Sequence, residues 1–160
     1  MKKVIFIAST LLVFAAFNYG IFQKEEIKAN GEIVLLELAP VDPRSLMQGD
    51  YMRLRYAIEQ NQISQAKEKR GYMVVVLDQN KVATFKSFYE KGELAANEKL
   101  LRYHNKYDKV RIVPDSFMFQ EGHAKFYEQA KYGVFKFDKK GNHLLVALAN
   151  ANLNLISPDI

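Results

Sequence analysis

YMVVVLDQNKVATFKSFY, residues 72–89, decides the fold class. Its two halves, Tyr72–Leu77 and Val82–Tyr89, are rich in the β-branched and aromatic residues that suit a pleated, half-buried surface. Between them stand Asp78-Gln79-Asn80-Lys81, which favour a tight turn. The stretch reads as a β-hairpin. Two more hairpins lie downstream. Leu100–Tyr103 and Lys109–Val113 flank HNKYD, and Val134–Phe137 and His143–Leu148 flank Asp138-Lys139-Lys140-Gly141-Asn142. Upstream, Glu32–Leu38 (EIVLLEL) reads as a strand that stops at Ala39-Pro40 and a second proline at Pro43. Tyr51–Ile58 and Ser116–Phe119 read as strands as well. Residues 61–71, NQISQAKEKRG, are polar and suit a short exposed helix or a loop. Phe119, His123, Phe126/Tyr127 and Ala130 recur at helical spacing, so a short amphipathic helix is expected within Gln120–Tyr132. The tail from Asn150 to Ile160 is polar. About eight strands and one or two helices make the chain mainly β (α+β). Short strands joined by hairpins imply an antiparallel barrel or sandwich.

The N-terminus is of another kind. After Met1-Lys2-Lys3 the chain runs from Val4 to Phe22 without a charge. A helix of that length spans about 28 Å, close to the roughly 30 Å hydrocarbon layer of a bilayer. Residues 4–22 therefore read as a signal-anchor transmembrane helix, with residues 1–3 in the cytoplasm by the positive-inside rule. Residues 23–31, QKEEIKANG, read as an aqueous linker, and residues 32–160 as one extracytoplasmic β-rich domain. The expected location is the inner (cytoplasmic) membrane, single-pass, with the domain in the periplasm. A cleaved signal peptide is the rival: Val13-Phe14-Ala15 offers small residues before a cut, which would release a secreted periplasmic domain. Apolarity that continues to Ile21-Phe22 favours retention.

Composition narrows the chemistry. The 160 residues contain no cysteine, which excludes disulfides, thiolate metal sites, a cysteine nucleophile and a lipid-modified N-terminal cysteine. The net charge of +5 is dispersed among acids. Its densest points, Lys67-Glu68-Lys69-Arg70 and Lys139-Lys140, read as solvated surface or as a weak attraction to anionic headgroups. No basic stripe with stacking aromatics suggests nucleic acid. His104, His123 and His143 lack metal-ligand spacing, and no phosphate loop or nucleophile elbow is present. No metal or cofactor is expected.

The most distinctive local sequence is Gly49-Asp50-Tyr51-Met52-Arg53-Leu54-Arg55-Tyr56, preceded by LELAPVDPRSLMQ at 36–48. Gly49 suits a turn with positive φ, and Asp50 can accept backbone N–H groups in it. Alternation then puts Met52, Leu54, Tyr56 and Ile58 on one face, a core face, and Tyr51, Arg53 and Arg55 on the other. The second face sets an aromatic beside two guanidinium groups, which suits a partner or an anionic ligand; it equally suits a half-exposed structural surface. With the N-terminal apolar segment, FMFQEG at 117–122 and YGVFKFD at 132–138, these residues resemble the GDYXXLXY family of bacterial membrane-anchored proteins. One departure is Pro114-Asp115-Ser116, where the family pattern suggests glycine. The resemblance covers most of the chain. It implies membrane anchoring and a β-rich architecture, and no activity.

A second likeness carries less. Pro43, Leu46, Gly49 and Asp50 look like the segment after the nucleophile of membrane-anchored signal peptidases. The nucleophile's position is here Pro40, which has no hydroxyl, and Ser45 is on the wrong side. The expectation is a tethered domain that acts by binding, an accessory or assembly subunit, with the bilayer and an integral membrane or envelope protein as partners. The alternatives are an envelope hydrolase with a carboxylate centre joining Asp50 to Glu37 or Glu121, and a small-ligand sensor with a cavity inside the barrel.

Overall fold

The computed structural model describes residues 2–39, 47–48, 51–60, 68–107 and 109–157. Gly49, Asp50, the connection at 40–46 and the polar stretch at 61–67 lie outside the described residues.

One helix, α1 (Lys2–Asn30), opens the chain, and none of its residues is buried in the protein. It is longer than its charge-free part. The segment read as a linker is helical up to Asn30, because Lys24, Glu25, Glu26 and Lys28 are good helix formers. The onset of charge after Gln23 marks where apolarity stops, not where the helix stops. Asn30 closes the last turn by donating through Nδ2 to Glu26 Oε1 at 2.8 Å.

Beyond α1 the described residues form ten strands: β1 (Glu32–Glu37), β2 (Met47–Gln48), β3 (Tyr51–Arg53), β4 (Arg70–Leu77), β5 (Ala83–Phe88), β6 (Glu98–Lys106), β7 (Lys109–Ile112), β8 (Ser116–Met118), β9 (Tyr132–Phe137) and β10 (His143–Ala149). They make three antiparallel sheets, in the orders β1-β9-β10, β2-β3-β8 and β5-β4-β6-β7. Single bridges, Leu38 to Tyr56 and Leu35 to Val82, join the first sheet to the other two. The result is a curled half-barrel. The three expected hairpins are present as β4–β5, β6–β7 and β9–β10. Two of their turns are built alike. Asp78 Oδ1 accepts the backbone N–H of Asn80 and Val82, and Asp138 Oδ1 accepts those of Lys140 and Asn142, all at 2.8 Å.

Inward residues of all three sheets share one core, among them Val34, Leu36, Met73, Val75, Leu101, Ile112, Phe135 and Leu148. Each such side chain contributes about 1.5–3 kcal/mol relative to exposure. Two sequence expectations need correction. The strand over 51–58 is interrupted: β3 ends at Arg53, and Ala57–Glu59 is a 3-10 turn. The helix within 120–132 shrinks to one turn, Ala124–Tyr127. Gly122, at φ +83°, bars an earlier start. The apolar spacing there serves another contact, since Phe119 stacks on Tyr127 with centroids 5.3 Å apart. The polar tail folds back on β10, where Ile156 N–H donates to Leu148 O at 2.8 Å.

Candidate functional site

The motif strand is a seam between sheets. β3 pairs with β8, matching Tyr51 to Met118, Met52 to Phe117 and Arg53 to Ser116. Beyond β3 the backbone keeps bonding on both sides. Leu54 N–H donates to Asp115 O, and Arg55 O accepts from Ala39 N–H, each at 2.8 Å. The inward residues are buried as alternation requires: Met52, Leu54 and Tyr56 are all core members, and Ile58 packs against them.

Tyr56 reaches furthest. It is wholly buried, and its hydroxyl donates to Pro114 O at 2.7 Å. Its ring lies 5.6 Å from that of Phe135. It also passes close to Gly133, where an added Cβ would sit 3.2 Å from Tyr56 Cε1. Burial, reinforced by the negative charges of Glu59 and Asp115, raises the phenol far above its usual range. The phenol is thus a permanent donor at physiological pH.

A family model described as GDYXXLXY protein matches residues 13–148. The chain belongs to the GDYXXLXY family. No curated protein and no solved structure matches it significantly.

In this GDYXXLXY protein the residues after the motif extend the seam. Glu59 is buried, and its Oε1 accepts Ile112 N–H at 2.7 Å while Arg111 Nη1 donates to Oε2 at 3.2 Å. Burial pushes its carboxyl up, and the Ile112 and Arg111 contacts pull partly the other way. His143 grips the same segment from the opposite sheet. Its Nε2 lies 3.0 Å from Val113 O, its Nδ1 3.3 Å from Gly141 O, and its ring stacks on Phe137 at 5.1 Å. Burial holds its pKa below the ordinary histidine value, against the two carbonyls that favour the charged ring. The run from Arg111 to Ser116 is therefore fastened by Glu59, His143, Tyr56, Leu54 and Arg53 in turn. Sequence reading missed Glu59, Arg111 and His143 as members of this network. No local signal marks them, because their partners lie tens of residues away.

The outward motif residues have a different fate. Arg53 and Arg55 are exposed and Tyr51 is half-buried. Tyr51 stands directly across from Met118, which is 78% exposed. Cross-strand partners share a face, so Tyr51, Arg53 and Met118 form a mixed apolar and cationic surface. Glu37 and Glu121, named as companions for Asp50, are both exposed, on β1 and in the turn before the short helix. Among the described residues no three His, Asp or Glu side chains are placed to hold a metal ion. An open depression of about 290 Å³ lies beside β5 and the loop at 89–94, lined by Lys86, Phe88, Glu93 and Glu98; it is at the surface, not inside the barrel.

Proposed function

We propose that this chain is a membrane-tethered extracytoplasmic domain that works by contact, as an accessory or assembly subunit of an integral-membrane or cell-envelope complex. The single observation that carries this is the division of labour in the motif. Its inward side chains are used up in the core, while Tyr51, Arg53 and Arg55 are turned to the surface beside exposed Met118. A surface methionine next to an aromatic and arginines is the composition of a recognition patch rather than of idle surface. Support for the tether comes from α1, which is long and apolar enough to cross a bilayer and whose apolar stretch is not buried against the domain. Lys2 and Lys3 favour an N-terminus in the cytoplasm, which puts the β domain on the outer side.

Two measurements test the tether. Alkaline extraction of membranes should leave the full chain in the pellet, and a membrane-impermeant thiol reagent should label a cysteine placed on the domain of intact cells from outside. Photo-crosslinking then tests contact. A photoreactive residue at Arg53 should give one dominant adduct with an integral membrane or envelope protein, and one at Lys125 should not. Identical adduct patterns from the two positions would defeat the contact proposal.

A further inference from the structure

The passage from α1 into the domain leaves almost no slack. Only Gly31 separates Asn30, the end of α1, from Glu32, the start of β1. Gly31 N–H donates to Ile27 O at 2.9 Å, continuing the helical pattern up to the strand. On the other side Lys136 of β9 donates through Nζ to Ala29 O at 3.2 Å, so a cation caps the helix C-terminus. α1 meets the domain at β9 and β10. The helix and the β9–β10 hairpin are thus joined directly.

That junction stands close to the bilayer. The eight helical residues from Gln23 to Asn30 rise about 12 Å beyond the charge-free segment. The headgroup layer itself takes up roughly 5–8 Å of that rise on each side of the membrane. What the structure holds at this height is a basic turn. Glu32 pairs with Phe137, and Phe137 with His143, so the turn at 138–142 starts level with the helix exit. Asp138 fixes the turn through the N–H groups of Lys140 and Asn142 and the Asn142 side chain, leaving Lys139 and Lys140 exposed at its tip. Lys24 and Lys28 add charge one helical turn apart on α1. Of the nearby acids, Glu32 pairs with Lys99 at 2.8 Å, Glu26 holds Asn30 and Asp138 is used within its own turn, while Glu25 is exposed beside Lys24.

We infer that the β9–β10 turn, through Lys139 and Lys140, is a second membrane contact that binds anionic lipid headgroups and sets the tilt of the domain over the bilayer. The inference rests on the anchor reading of α1. Its physical basis is charge complementarity beside an anchor that already holds the lysines at the surface, so no separate search for the membrane is needed.

The chain has no cysteine, so one introduced thiol carries one label. Full-length protein with Lys139→Cys or Tyr107→Cys is labelled with a fluorophore and reconstituted into vesicles carrying a headgroup-attached quencher. Position 107 lies in the β6–β7 turn, about 27 Å along β6 from the Lys99–Glu32 pair. The expected result is strong quenching at 139, little at 107, and loss of quenching at 139 when phosphatidylglycerol is replaced by phosphatidylcholine or Lys140→Gln is added. Protein that sediments with vesicles yet shows equal quenching at both positions, or quenching at 139 indifferent to anionic lipid, overturns the headgroup contact alone. Protein washed off the vesicles by carbonate overturns the anchor and this inference together.

Discussion

The hydroxyl of Tyr56, the last residue of the motif, donates to the carbonyl oxygen of Pro114 across 58 residues of chain. The bond ties the seam strand to the connection between β7 and β8. Tyr56→Phe keeps the ring against Phe135 and removes only the donor. The expected loss is about 1–2 kcal/mol, the usual cost of stranding a partly buried acceptor. Tyr56→Ala also opens a cavity and should cost about 3–5 kcal/mol. Urea denaturation of the detergent-solubilised chain distinguishes the two. Because the folded pKa lies above the unfolded value, this contribution is intact below pH 10 and is lost as pH rises beyond it. Phenolate absorbance should accordingly show Tyr56 as the last of the nine tyrosines to ionise, behind Tyr103 and Tyr127, which burial also raises.

Glu59 gives the opposite pattern to an ordinary surface carboxylate. Its folded pKa is raised above 4.5, chiefly by burial. The folded state therefore holds the proton more tightly than the unfolded chain, and the contribution is full below the unfolded pKa and declines as pH rises through the folded one. Glu59→Gln retains an acceptor for Ile112 N–H and sheds the desolvated charge, so it should cost under about 1 kcal/mol at pH 7. Glu59→Ala strands that N–H and should cost about 2–3 kcal/mol. Denaturation midpoints at pH 5 and pH 7.5 check the sign: the native protein should gain on the Gln variant at the lower pH.

His143 should act in the reverse direction. A neutral imidazole donates to only one of the two carbonyls it faces, and Val113 O is the nearer. Its folded pKa lies below the ordinary value of 6.5, so its contribution is full above that pH and is lost as pH falls through the folded pKa. A ring-nitrogen NMR titration should place the His143 midpoint below 6.5. His143→Phe keeps the stack on Phe137, and its stability deficit should narrow between pH 7 and pH 5.

Local signals account for what the sequence made legible. Asp78 and Asp138 announce their turns because each side chain bonds the backbone two and four residues on. Period-two burial exposed the core face of Met52, Leu54 and Tyr56. The seam itself was invisible. Several of its bonds join residues more than 50 positions apart, and Glu59, an acid in a polar-looking stretch, gives no sign of being buried. The helix expected within 120–132 is only one turn, Ala124–Tyr127, because part of its apolar spacing comes from residues that meet in space, Phe119 and Tyr127; Gly122 was the signal against a longer one. Gly49 and Asp50 remain turn candidates outside the described residues, so the candidate site begins at Tyr51.

The two faces of the motif should separate stability from contact. Arg53 and Arg55 are exposed, so Arg53→Ser and Arg55→Ser should change stability by no more than about 0.5 kcal/mol. If the patch is the contact surface, the paired variant should fold normally and still lose its partner adduct. Leu54→Ala should instead cost about 2–5 kcal/mol, because Leu54 is buried in the core. Thermal unfolding beside crosslinking yield reads both effects in one series. A double arginine variant that keeps full crosslinking would remove Arg53 and Arg55 from the surface.

Gly31 and Gly20 make the last contrast, since both are in or beside α1 and differ only in surroundings. A Cβ at Gly20 meets nothing within 4 Å, and Ala there gains about 1 kcal/mol of helix propensity. A Cβ at Gly31 would stand 2.3 Å from Ile27 O and 3.0 Å from Lys136 Cβ. The first of these is backbone, so it cannot yield without unwinding the last helical turn. Gly31→Ala should therefore detach that turn from β9, break the Lys136 cap on Ala29 O and cost about 1–3 kcal/mol of overpacking strain. With α1 as the proposed anchor, a loosened junction would free the domain to tilt over the membrane. Spin labels at Gln23 and Lys139 should report a narrow distance distribution in the native chain and in Gly20→Ala, and a broad one in Gly31→Ala. A narrow distribution in all three would mean that the domain is oriented by something other than its junction with α1.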